Sequence, residues 1–258
     1  MSTFPAGTFT PAPGRGRPLR MLVTHARTEA VLTLRNGEQV LLTLLIPLAL
    51  LVGLTVLTVL DLPEPRIDSV TPRIFALAVM SSAFTGQAIA LGFDRRYGVL
   101  KRLAATALPR WLLVAGRVLA GVVVVIIQLV VLGAVAALLG WSPAAAGLAS
   151  AGLLVIMGTL AFGALGVLLG GAFKAEIVLA LANIVWFVLL FAGGVVLPAG
   201  SMPGPMADIV ALLPSAALAE GLRAALVDGA VPGWPVFLTL IVWGAAAGAL
   251  ATRTTRLS

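Results

Sequence analysis

The sequence has no cysteine and a single histidine, His25. The first absence excludes a disulfide framework, a thiolate nucleophile and a Cys-ligated metal. The second leaves almost nothing for imidazole catalysis or a His-rich metal site. Charged residues make up only 10% of the 258 residues, against about 25% in an ordinary soluble domain. No Gly-x-x-x-x-Gly-Lys-Ser/Thr loop is present to cradle a nucleotide phosphate. Neither a His-Glu-x-x-His zinc motif nor a Gly-x-Ser-x-Gly nucleophile elbow occurs. What remains is apolar: hydrophobic types reach 60% and mean hydropathy is +1.10. Soluble globular and disordered chains are both excluded, and a polytopic membrane protein is left.

Six charge-free windows, 40–60, 74–93, 118–139, 148–169, 177–197 and 232–251, each supply the ~20 residues a helix needs to cross a bilayer core. A barrel would need alternating strands, and the run from Val122 to Ile127 does not alternate. In lipid a helix satisfies its own backbone, so the expected fold is all-α with six transmembrane helices. The first apolar run begins at Val40, behind a long polar leader, which does not fit a cleaved signal peptide. Residues 1–18, rich in Pro, Gly, Ser and Thr, are expected to be a disordered leader, and 19–258 a single transmembrane domain. Fourteen of the seventeen Lys and Arg fall on one side of this topology, which predicts both termini in the cytoplasm. The net charge of +7 is thereby explained by orientation rather than by nucleic acid.

Residues 19–38 read as an interfacial amphipathic helix, with Leu19, Leu22, Ala26, Ala30 and Leu34 on one face and Arg20, Arg27 and Arg35 roughly opposite. His25 reads as a surface residue of that helix. Residues 61–73, with three prolines, read as a short exposed outer connection. Residues 94–117 form a basic cytoplasmic stretch with a helical stripe of Leu100, Leu103, Ala104 and Ala107. It serves either the charge bias alone or a partner. The outer stretch 198–231 is apolar yet broken by Pro198, Pro203, Pro205 and Pro214, and reads as re-entrant helices. None of the six windows holds an ionisable residue, so proton coupling within the membrane has no candidate. Gln87, Gln128 and Asn183 remain, as lining of a substrate path or as hydrogen bonds between helices. Gly166-x-x-x-Gly170 and Gly244-x-x-x-Gly248 permit close helix approach.

The run from Phe93 through Asp94-Arg95-Arg96-Tyr97-Gly98 and Leu100-Lys101-Arg102-Leu103 to Thr106, Pro109 and Trp111 resembles the signature loop of ABC type-2 exporter permeases. It departs from that pattern twice: Asp94 stands where a Glu is usual, and Ala107 where a proline follows the threonine. Phe191 to Pro198, Met202-Pro203 and Leu212-Leu213-Pro214 are similar to the end of the family's fifth span and its outer re-entrant helices. The resemblance implies that the loop forms a coupling helix docked on a separate ATPase subunit. It puts Asp94, Arg95, Arg96, Gly98, Lys101 and Arg102 in the coupling region. It also implies two permease copies, identical or paralogous, and two ATPases, with ATP and Mg bound by the partner and no cofactor in this chain.

The expected function is therefore an exporter permease without its own catalysis, embedded in membrane lipid and moving an amphiphilic or hydrophobic substrate: a drug-like molecule, a lipid or a glycan. The alternative is a non-transporting membrane scaffold. Arg far outnumbers Lys, which suggests a GC-rich bacterial genome and hence a bacterial cytoplasmic membrane.

Overall fold

The computed structural model describes residues 16–57, 62–104, 109–193, 195 and 204–254; among them there are helices and turns and no strand. The leader up to residue 15, the ends of the first and fifth windows, Ala107 and the last four residues lie outside the described residues. Helix α1 is Pro18–Arg35 and α2 is Gly37–Val56. A continuous rod follows, built of α3 (Arg66–Met80), a π-helical stretch (Ser81–Gly86) and α4 (Gln87–Arg96). After it come α5 (Val99–Ala104), α6 (Arg110–Leu138), α7 (Leu148–Ala172) and α8 (Ala175–Phe191). Then come α9 (Pro205–Ala211), α10 (Pro214–Leu226) and α11 (Trp234–Thr254).

Among the described residues four helices are long and apolar enough to cross a membrane: Arg66–Arg96, Val114–Leu138, Ala145–Ala172 and Trp234–Arg253. The first and fifth windows hold shorter apolar helices, Thr43–Val56 and Ala175–Phe191. Helices α9 and α10 meet at 82° and are long and apolar enough to span only together, as a broken span or re-entrant pair. The architecture is thus all-helical with four span candidates, or five with the bent pair, where the sequence predicts six. Long apolar side chains cover the outer faces: Leu45 and Val52 on α2, Ile126 and Val130 on α6, Ile184 and Phe191 on α8, Ile241 and Val242 on α11. Faces of that size and polarity suit hydrocarbon, not water. The chain is a multi-pass membrane protein.

Two helices run past their charge-free windows. Residues 66–73, expected as an exposed connection, form the start of α3, with Ile67, Val70, Thr71 and Pro72 buried. Pro72 forfeits one backbone bond, but packing of this segment on α2 and α10 holds the helix. Helix α6 begins at Arg110 instead of 118, so Arg117 lies inside a span candidate, and Asp68, Arg73 and Asp94 lie inside another. The six windows themselves hold no ionisable residue, but the helices that carry two of them do. Stopping a window at a charge ignores that a helix carries its own backbone bonds beyond the apolar run. Helix α1 stops at Asn36, short of Glu38. Its buried stripe of Ala26 and Ala30 packs on α6, and Leu19, expected on that face, is exposed. His25 is not a free surface residue: it is half-buried, with its ring against Gly116.

Helix α7 is the hub, packed on α4, α10 and α11. Side chains at Gly166 and Gly170 would place Cβ atoms 2.7 Å from the Phe84 carbonyl oxygen and 2.6 Å from that of Ala88. Their small face therefore lets the π-helical stretch and α4 lie directly on α7. Helix α10 is almost wholly buried, with Leu218, Leu222 and Leu226 all in the core. Helix α9 exposes Met206 and Ile209.

Candidate functional site

Asp94 to Arg102 lie at one end of the bundle, where α4 stops and α5 starts. The chain reverses through Gly98, whose φ of +68° is left-handed and costs an L side chain roughly 1–2 kcal/mol. Its N–H donates to the Arg95 carbonyl, and its carbonyl accepts from the Arg102 N–H. One residue therefore ends one helix and starts the next.

Three side chains in the last turn of α4 tie it to α6, α7 and α8, and through α6 to α1. Asp94 Oδ2 accepts from Arg117 Nη2 on α6, and the same Nη2 lies 3.7 Å from Glu29 Oε2 on α1. This Glu29–Arg117–Asp94 cluster is largely buried, with side-chain exposures of 19%, 15% and 26%. A carboxylate near a helix C-terminus opposes the helix dipole, so Asp94 needs its cation. Arg95 Nη1 donates to the carbonyls of Gly170, Gly171 and Phe173 at 3.1, 2.6 and 3.2 Å. Those are orphan groups at the end of α7, and Arg95 caps them. Arg96 pairs with Glu176 in the first turn of α8. That pair is half-exposed and adds little stability alone, but it fixes which helix the loop touches.

Lys101 and Arg102 on α5 are exposed, and Arg102 Nη2 donates to the Tyr97 carbonyl at 3.0 Å. Of the predicted stripe on this segment, Leu100 has a described side chain. It lines, with Gly92, Arg95, Arg96 and Lys101 on one side and residues 172–176 on the other, a cleft of about 420 Å³.

The sequence reading thus locates one half of each contact. Glu29, Arg117, Glu176 and the 170–173 carbonyls are missed. Arg117 had a signal, an arginine inside an apolar run, which marks a functional candidate in a membrane helix.

Gln128, 3% exposed, donates from Nε2 to Thr43 Oγ1 at 2.9 Å and accepts at Oε1 from Ser82 Oγ at 2.5 Å. It joins α2, α6 and the π-helical stretch, while Trp186 Nε1 on α8 donates to Ser81 Oγ at 2.8 Å. The π-helical winding sends adjacent serines to different helices, and such stretches concentrate at functional sites. Gln87 borders a small polar pocket, about 40 Å³, with Glu29, Thr33, Thr43, Ser82 and Arg117. Gln87 is therefore a neighbour of the ionic cluster, and Gln128 reaches the same pocket through Thr43 and Ser82. Asn183 is elsewhere, on the exposed face of α8, where its Nδ2 donates to the Leu179 carbonyl of its own helix. Among the described residues no group of His, Cys, Asp and Glu could hold a metal ion.

A family model described as ABC-2 type transporter matches residues 22–227, from the middle of α1 through α10. The chain is also 27% identical over 234 residues to YvfS of Bacillus subtilis (strain 168), whose name describes a transport permease, covering 87% of this chain and 93% of that protein.

Proposed function

The chain belongs to the ABC-2 type transporter family, and from that premise we propose that it is the permease of an exporter driven by a separate cytoplasmic ATPase. In this reading α2 and α8 complete six spans, both termini face the cytoplasm, and the membrane is a bacterial cytoplasmic membrane. Two permease copies meet two ATPases, which hold ATP and Mg. The substrate is amphiphilic or hydrophobic. The observation that carries the reading is the wiring of the 94–102 loop: Asp94 to α6 and α1, Arg95 to the end of α7, Arg96 to the start of α8. A push on α5 reaches four helices through rigid contacts. A loop that served only the charge bias would need none of them.

The test is co-purification. The tagged chain is expected to retain an ATPase whose turnover changes several-fold when the chain is present. Lys101→Glu with Arg102→Glu should lose the ATPase at unchanged yield. Asp94→Ala should keep it bound but leave its turnover insensitive to the chain. No retained ATPase would favour the scaffold alternative, and wild-type behaviour of both variants would remove this loop as the coupling element.

Orientation has its own check. Glu64 and Arg102 are both exposed. In intact cells an impermeant maleimide should label Glu64→Cys and not Arg102→Cys; the opposite pattern would invert the topology.

A further inference from the structure

The cleft between α5 and the α7–α8 connection holds more positive charge than its own contacts use. Arg95, Arg96, Lys101 and Lys174 line it against one carboxylate, Glu176. Arg95 is occupied by the α7 carbonyls and Arg96 by Glu176. Lys101 and Lys174 make no ion pair among the described residues. At about 420 Å³ the cleft falls in the roughly 300–1,000 Å³ range of small-molecule sites. Its remaining lining is apolar: Leu100, Ala172, Phe173 and Ala175. Phe173 in its lining and Ile177, four residues on in the first turn of α8, are both about half exposed.

We propose that this cleft binds the phosphate headgroup of an anionic phospholipid, with Lys101 and Lys174 on the phosphate and the acyl chains running past Phe173 and Ile177. Cationic pockets between helices at a membrane face recognise such headgroups. An acidic protein loop would match the charge and leave Phe173 and Ile177 uncovered; a phospholipid covers both. The proposal rests on the orientation given above only for the leaflet that supplies the lipid.

Native mass spectrometry of the purified full chain tests it, with palmitoyl-oleoyl phosphatidylglycerol and the phosphatidylcholine of the same chains as probes. The wild type should retain one phosphatidylglycerol per chain at least fivefold over phosphatidylcholine. Lys101→Ser with Lys174→Ser should abolish that preference, whereas Arg27→Ser, which removes an exposed cation on α1, should keep it. Equal preference in the wild type and the double variant would overturn the proposal. So would displacement of the lipid by millimolar inorganic phosphate, which would mark a site for free anions.

Discussion

Arg117→Ala is expected to leave the chain inserted but less stable, and to abolish the dependence of ATPase turnover on the permease. Among the described residues Arg117 is the one cation that links α1, α4 and α6: Asp94 and Glu29 both approach its Nη2. Removing it leaves two carboxylates facing each other in a largely buried cluster. Breaking a fully buried pair costs about 3–5 kcal/mol; the residual exposure of these three side chains argues for about 2 kcal/mol. In a chain of this size that lowers the melting temperature by roughly 4–8 °C. Asp94→Ala should cost less, because Glu29 remains to face Arg117. Exchanging Asp94→Arg with Arg117→Asp should not rescue, since it sets an aspartate beside Glu29, whereas adding Glu29→Gln to the exchange should. Thermal melting in detergent and ATPase turnover in co-reconstituted vesicles check both halves. Recovery by the simple exchange would show that Glu29 has no part in the cluster.

The contrast between Asp94 and Arg117 shows where legibility in the sequence stops. Asp94, Gly98 and Lys101 lie in one short run with a recognisable pattern, so the loop is readable as a unit. Glu29, Arg117 and Glu176 are 65, 23 and 82 residues from Asp94 in the chain, and nothing local announces that they converge. Span centres are readable because 20 apolar residues stand out against any background. Span ends are not, because α3 and α6 continue through Pro72 and Arg117 once neighbouring helices cover them. Gln128 is visible as a polar residue in an apolar run, but its part as a three-helix junction needs Thr43 and Ser82 at specific heights. The π-helical winding at Ser81–Gly86 is visible only as a cluster of small and hydroxyl residues, and tertiary packing decides how it coils.

Gly147→Ala is expected to be the most damaging single-methyl change in the chain. Gly147 closes the turn Ala145–Gly147 and leads into α7. A Cβ there would lie 1.7 Å from the Ala225 carbonyl oxygen and 2.5 Å from its carbon. Both are backbone atoms of α10, so no side-chain rotation can relieve the overlap. The approach is held from both sides. The Ala144 N–H donates to the Leu226 carbonyl at 2.8 Å, and Gly229, at φ +64°, turns the chain away beside Ala144. To admit the methyl, the end of α10 must leave α7, and Leu218 and Leu222, both fully buried, would leave with it. Overpacking in a tight core costs about 1–3 kcal/mol, and a collision with backbone sits at or above the upper end. Gly152, one turn further along α7, has nothing within 4 Å of the equivalent position. Gly152→Ala should therefore be neutral or stabilising by roughly 0.5–1 kcal/mol through helix propensity alone. The two alanines, measured side by side for monodisperse yield on size exclusion and for melting temperature, separate a packing defect from a general intolerance of substitution in α7. Wild-type yield and melting for Gly147→Ala would mean that α10 does not dock on this turn.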